Sequence, residues 1–222
     1  MNHNIAIDGP AGAGKSTIAK AVAARLGHIY VDTGAMYRAM ALYFLDKGLN
    51  LDDEKSISDA CDGADVSIKH IDGVQRVILC GKDVSDAIRD EKVGNAASVV
   101  SVYPAVRTKM TNLQRRLASL QPVVMDGRDI GTVVLPDASC KIFLDASSEV
   151  RAKRRVDQLA EKGVEADYEE VLADIRDRDL RDHTRPIAPL VAAKDAVTVD
   201  TSYMTLEEVI ERLFEIYNSK VG

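Results

Sequence analysis

A parallel-sheet α/β fold follows from three features of this 222-residue sequence. Five short apolar runs recur with helical segments between them, each near-continuously apolar, as strands buried on both faces of a parallel sheet are. All five close on an aspartate, which marks one rim of the sheet as its working edge, because ligands of open α/β sheets sit beyond the carboxyl ends of strands. A glycine-rich turn joins the first run directly to an amphipathic helix.

The elements follow in order. Residues 4–8 (NIAID) form the first strand. The helix over 16–26 places Ile18, Val22 and Leu26 four apart and stops at Gly27, a C′ glycine. Residues 28–32 (HIYVD) form the second strand, and the helix over 36–47 turns Met36, Met40, Tyr43 and Phe44 to one face before Gly48. After Pro104, the residues Val106, Met110, Leu113, Leu117 and Leu120 keep helical spacing until Pro122. Residues 123–126 (VVMD), 141–145 (KIFLD) and 197–200 (VTVD) are the remaining strands. Thr205 and Glu208 make a capping box for a last helix with the stripe Leu206, Val209, Ile210, Leu213 and Ile216.

Residues 62–90 break the strand–helix alternation. VSIK and QRVILCGKDV flank Asp72-Gly73, which reads as a hairpin with its turn signal. A β-rich piece inserted among helices fits a substrate-binding subdomain, and a surface hairpin without function is the alternative.

Composition narrows the function. With 29 basic and 35 acidic residues the net charge is −6, and aromatics are sparse, so a general nucleic-acid surface is disfavoured. No apolar run approaches the roughly 18–20 residues that span a bilayer, and the N-terminal sequence lacks a signal-like pattern. Cys61, Cys80 and Cys140 are odd in number and widely spaced, which suits neither a disulfide framework nor a zinc site. The expectation is a reduced, cytoplasmic, monomeric protein with no membrane and no nucleic-acid partner.

Gly9-Pro10-Ala11-Gly12-Ala13-Gly14-Lys15-Ser16-Thr17 matches G-x-x-x-x-G-K-[ST] and sits between an apolar strand and a helix, where such a loop must sit. Its glycines let successive N–H groups turn inward around an anion, and the helix start adds partial positive charge. Lys15 can reach β/γ phosphate oxygens and the Ser16 hydroxyl can ligate Mg²⁺. Motors, switches and kinases share such a loop, so it does not name the reaction.

The acceptor side has to choose. Thr33 and Arg38 follow the second strand and face the same rim, and Arg38 offers a planar fork for phosphate or carboxylate, a solvated arginine being the alternative. Asp126-Gly127-Arg128-Asp129 follows the third strand: Asp126 suits an outer position around Mg²⁺, and Arg128, between two acids, suits the acceptor phosphate. Arg151, Arg154 and Arg155 share one helix face. Farther on, Tyr168, Val171, Leu172 and Ile175 make a core stripe that continues on the same face as Arg178, Asp182 and Arg185, so the helix is expected to run out of the core and into a wet site. The segment 148–185 is net negative, which disfavours a nucleic-acid stripe. It reads either as a lid supplying arginines to a phosphoryl-transfer transition state or as a solvated, salt-bridged helix pair.

Taken together, GPAGAGKST, VDTGAMYR, NAASVVSVYPAVR, MDGRDIGTVVLPDA, KIFLDAS and RDRDLRDHTRPIAPL resemble the bacterial cytidylate kinase family, essentially from end to end. The resemblance implies a three-layer P-loop kinase with a five-stranded parallel sheet. Residues 1–31, 104–148 and 186–222 would form its core, 32–103 a nucleotide monophosphate-binding domain with a β-rich insert, and 149–185 a short lid with substrate-contacting helices. It implies transfer of the γ-phosphoryl of ATP to CMP or dCMP with Mg²⁺. Gly9–Thr17 would hold ATP, and Arg38 and Arg128 the acceptor phosphate. Thr33, Ser98, Arg107, Asp129 and Arg185 would surround the cytosine, while Arg178 and Asp182 would reach the sugar. Lys15, Arg128 and the lid arginines Arg151 and Arg155 would carry the catalytic charge. Position 33 departs from the serine that related enzymes often carry, but keeps the hydroxyl. A kinase for UMP, dTMP or shikimate is the neighbouring reading. A nucleotide switch is disfavoured by the lack of an N-K-x-D motif.

Overall fold

A computed structural model describes residues 3–221. Its first strands and helices are β1 (Ile5–Asp8), α1 (Lys15–Leu26), β2 (Ile29–Asp32), α2 (Thr33–Asp46) and α3 (Glu54–Cys61). The insert follows as β3 (Val66–Ile71), β4 (Val74–Leu79) and β5 (Lys82–Asp83), then α4 (Glu91–Val100) and α5 (Pro104–Leu120). The chain ends with β6 (Val123–Gly127), β7 (Cys140–Asp145), α6 (Ser148–Ala160), α7 (Tyr168–Thr184), β8 (Val197–Asp200) and α8 (Leu206–Val221). The five predicted runs are the five strands of one sheet, ordered β2-β6-β1-β7-β8. β1 runs parallel to both β6 and β7, with Asp8 in register with Gly127 on one side and Phe143 on the other. A second sheet, β3-β4-β5, is antiparallel.

Contacts group the chain into two units, one formed by Met1–Tyr30 with Gln121–Gly222 and the other by Val31–Leu120. In the first unit, α1 and α8 pack on one another and on the sheet, burying Ile18, Val22, Leu213 and Phe214 against Ile5, Ile7, Val124 and Leu144. Removing such side chains from water is worth about 1.5–3 kcal/mol each, so this layer anchors the strand ends that carry the loops. β8 departs from expectation. It is an edge strand with Thr198 and Asp200 exposed, so only Val199 is fully buried there.

The second unit is built around α2, which packs on α4, α5 and β4 and buries Met36, Met40 and Phe44. α2 starts three residues earlier than its apolar spacing predicts, because the Asp32 carboxylate caps it by accepting the Ala35 N–H at 2.9 Å. The predicted hairpin is present, turning at Asp72 and Gly73, both with positive φ as a two-residue turn of this kind requires. It is tied to the start of α2: Gln75 accepts the Asp32 N–H at 2.8 Å and donates to its carbonyl. Pro104–Leu120, expected with the core, groups instead with this second unit, since α5 packs on α3 and α2. No helix among the described residues is long and apolar enough to cross a membrane.

Candidate phosphate-binding and acceptor site

β1 ends at Asp8 and the chain wraps from Gly9 to Gly14 before α1 begins at Lys15. Gly9 is obligatory: a Cβ there would lie 2.0 Å from the Leu144 carbonyl oxygen of β7. Gly14 caps α1 in the left-handed region, φ 83°. The residues Gly9, Pro10, Ala11, Gly12, Ala13 and Gly14 thus form the loop, and Lys15, Ser16 and Thr17 the first turn of α1, whose unpaired N–H groups favour an anion.

Lys15 is 6% exposed, and its Nζ donates to the Pro10 carbonyl at 2.6 Å. Burial, then the nearby positive charge of Arg128, push its ammonium down to about 7, while Asp126 and Asp8 pull it back. A buried lysine facing other cations is costly alone and well suited to a polyanion. The Ser16 hydroxyl donates to Asp126 at 2.8 Å, and the Tyr30 hydroxyl donates to the other carboxylate oxygen at 3.0 Å. This hydroxyl and carboxylate are hard oxygen donors, the set that suits Mg²⁺, a cation that leaves most of its coordination to water and phosphate.

Beyond β6, Arg128 Nε donates to Asp182 of α7 at 2.7 Å, with both side chains mostly buried. Burial opposes ionisation of Asp182, but Arg128, with Arg178 and Arg185, holds its carboxyl below the ordinary range. Arg185, at the C-cap of α7, lies 3.7 Å from Asp129, and both are buried. Lys15, Asp126, Arg128, Asp129, Arg178, Asp182 and Arg185 therefore form one charged cluster within the first unit, with the Ser16 hydroxyl bonded to Asp126 at its side. The stripe on α7 runs opposite to expectation. Its charged end, Asp182 and Arg185, is buried, while Tyr168 is 36% exposed and Leu172 is the buried member of the apolar stretch.

The expected lid arginines part ways. Arg151 is 4% exposed, and it donates to the Ala146 and Ala11 carbonyls and to both carboxylate oxygens of Asp179. Arg154 donates to Thr201. Arg155 is half-buried, and it donates to the neutral amide oxygen of Gln158 on its own helix, at 3.0 Å.

In the second unit, α2 carries a buried Thr33 and a half-buried Arg38, α4 carries Ser98 and α5 carries Arg107. The Arg107 guanidinium lies 5.8 Å from the centre of the Tyr37 ring and donates to the Ser101 carbonyl at 3.1 Å. Arg38 approaches α4 at Gly94, its Nε 3.8 Å from where a Cβ on that glycine would stand.

Three residues absent from the sequence-derived set shape this site. Asp8, 3% exposed, accepts the N–H groups of Ile130 and Gly131 at 2.8 and 2.7 Å and so fixes the π turn Ile130–Val134 that follows Arg128-Asp129. Burial pushes its carboxyl up to about 6 against the pull of those two hydrogen bonds. Tyr30 orients Asp126, and Asp179 orients Arg151. Asp8 is the one with a sequence signal, as a strand-end aspartate directly before the loop.

A parallel sheet whose central strand runs into a phosphate loop, with a buried lysine and clustered arginines beyond it, defines the class: a P-loop phosphotransferase. The cytidylate kinase family profile matches residues 5–219. A cytidylate kinase of Caldicellulosiruptor saccharolyticus is 49% identical over 99% of this chain and 97% of its own length. One from Caldanaerobacter subterraneus subsp. tengcongensis is 51% identical over 95% and 92%. Among solved structures, an uncharacterized protein from Eubacterium ventriosum shares the fold at a TM-score of 0.50 and 13% identity, over 97% of this chain and 98% of that one. The chain belongs to the cytidylate kinase family.

Proposed function

We propose that this chain transfers the γ-phosphoryl group of ATP to CMP or dCMP, giving ADP and CDP or dCDP. The observation that carries this reading is family membership across nearly the whole chain. Gly9–Thr17 hold the ATP phosphates, with Lys15 at the β and γ oxygens. Ser16 would hold Mg²⁺, with Asp126 at an outer position around it, and the ion when bound supplies positive charge to the phosphates. In the unit Val31–Leu120, Arg38 binds the acceptor phosphate while Thr33, Ser98 and Arg107 face the cytosine. In the other unit, Arg128 takes the acceptor phosphate, Asp129 and Arg185 face the base, and Arg178 and Asp182 face the sugar. Residues 149–185 act as a lid that brings Arg155 to the transferred phosphoryl group. The protein works as a cytoplasmic monomer.

An acceptor phosphate oxygen attacks the γ-phosphorus in line as the bond to the bridging β–γ oxygen breaks. That oxygen is already ionised near neutral pH, the second phosphate pKa being about 6, so no side chain need act as general base. Cytosine offers an N4 amino donor and an N3 acceptor, where uracil offers the reverse. Asp129 accepting from the amine and an arginine donating to N3 and O2 would leave uracil unpaired, and such sites discriminate by roughly 10⁴–10⁵.

The direct test is a coupled ADP assay with CMP, dCMP, UMP and AMP. Equal rates with CMP and UMP would overturn the base assignment. Arg107→Lys is expected to raise the KM for CMP about tenfold while leaving that for ATP near the parent value, since lysine keeps charge without the planar fork. A larger effect on ATP would remove Arg107 from the acceptor site. Asp126→Asn is expected to raise the Mg²⁺ requirement about 10–100-fold, read from a Mg²⁺ titration of the rate, because the amide drops the negative charge and leaves one acceptor oxygen for the two hydroxyls, Ser16 and Tyr30, that the carboxylate receives.

A further inference from the structure

We propose that Asp179 is a positioning residue that locks the helix bearing Arg178 and Asp182 to the phosphate loop through Arg151, an inference that rests on reading Gly9–Thr17 as the ATP loop. The geometry is continuous. Asp179 receives two hydrogen bonds from the Arg151 guanidinium, at 3.0 and 2.5 Å. The same Nη1 donates to the Ala11 carbonyl at 3.0 Å, and Nε donates to the Ala146 carbonyl at 2.8 Å, just past the end of β7. The stem of Arg151 lies beneath the loop, its Cβ 3.2 Å from where a side chain on Gly12 would begin.

Asp179 and Asp182 are three apart on α7 and so share a face. One carboxylate grips the arginine under the phosphate loop, and the other grips Arg128 beyond β6. α7 is therefore pinned twice, once to the donor loop and once to a proposed acceptor cation. Both pairs are mostly buried, where an unpaired guanidinium is costly, and the two-bond contact of Arg151 with Asp179 is also geometrically specific. The structure supplies its own control. Arg176 and Glu149 also link α7 to α6, at 2.7 Å, but both are more than half exposed. Arg151 thus acts from behind the loop, by holding Ala11, and this differs from the transition-state role that its place among the lid arginines suggests.

The test uses the full chain with Asp179→Asn, Asp179→Glu, Arg151→Lys, the double variant Asp179→Asn/Arg151→Lys, and Arg176→Ala. ATP with excess Mg²⁺ is titrated calorimetrically without acceptor, and kcat and KM are then measured with CMP. Asp179→Asn is expected to raise the ATP dissociation constant roughly tenfold and lower kcat by roughly 10–100-fold, with unchanged binding stoichiometry. A folding defect would instead lower the stoichiometry and leave the dissociation constant of the remaining protein unmoved. Asp179→Glu should recover most of the affinity, and the double variant should be no worse than its worse single parent, because one interaction is being broken. Arg176→Ala should stay within about twofold of the parent. The proposal fails if Asp179→Asn binds ATP as the parent does, if Arg176→Ala matches its losses, or if the two losses simply add. Should Asp179→Asn not fold, Asp179→Glu and Arg151→Lys decide it: parent-like ATP affinity in both overturns the proposal. A parent chain that binds ATP but does not phosphorylate CMP would defeat the proposed reaction while leaving the binding arm to judge Asp179.

Discussion

Lys15→Met is expected to lose about 10³-fold in phosphoryl transfer and yet to melt at a higher temperature than the parent at pH 6. The two effects have one origin. Lys15 is buried beside the positive charge of Arg128, and its ammonium is pushed down to about 7 from an unfolded value near 10.5. Between those values the unfolded chain holds a proton that the native chain has released, so stability rises with pH across this window. Below pH 7 the native protein carries the charge at full cost, on the order of a few kcal/mol at about 1.4 kcal/mol per pKa unit. Methionine keeps the apolar stem and removes that cost. For a chain of this size each kcal/mol is about 2–4 °C. The melting advantage of the variant should be widest at pH 6 and shrink steadily as pH rises toward 10.5. A pH-independent difference would mean that Lys15 is not strained in the empty loop. ATP reverses the balance, because its phosphates restore the ammonium, so binding at pH 8 should draw a proton from the buffer. Calorimetry in buffers of different ionisation enthalpy would measure it, and no uptake would count against a neutral Lys15.

Patterns that live within a few residues are legible in the sequence. The five strands, the phosphate loop and the hairpin turn at Asp72-Gly73 each announce themselves through apolar runs, glycines and turn chemistry, because local backbone sterics decide them. What is missed depends on partners far along the chain. Asp8 looks like one more strand-end acid until the N–H groups of Ile130 and Gly131 meet it. Arg151, Arg154 and Arg155 look equivalent on a helical wheel, yet the first is committed to Ala11 and Asp179 and the second to Thr201. α7 is misread for the same reason. Apolar residues at its start suggest burial, but the ion pairs of Asp182 and Arg185 at its other end satisfy charges well enough to bury them. The short helices α3 and α4 have eight and ten residues, too few for a stripe to stand out, and they rest on caps at Asp53 and Asp90 and on packing against α5 and α2.

Arg128→Ala should cost 10²–10³ in rate, roughly the loss seen when one preorganised donor to a transition-state charge is removed. It should also leave Asp182 stranded. In the parent, Arg128 donates to Asp182 at 2.7 Å and keeps its carboxyl below the ordinary range, so the pair stabilises the fold above the unfolded pKa near 3.8 and loses that contribution as pH falls through the lower native value. Without Arg128 the carboxylate stays mostly buried with only Arg178 and Arg185 nearby, and the expected penalty at pH 7 is about 2–3 kcal/mol, less than for a wholly buried pair because both side chains keep some exposure. Asp182→Asn added to Arg128→Ala removes the stranded charge, so melting should recover toward the parent while the rate does not. Arg128→Lys should keep most of the stability and only part of the rate, because charge survives and the fork does not. Steady-state kinetics and thermal melts on the same three proteins separate the two roles. A rate within a few-fold of the parent for Arg128→Ala would take Arg128 out of the chemistry and leave it as the partner that keeps α7 folded against β6.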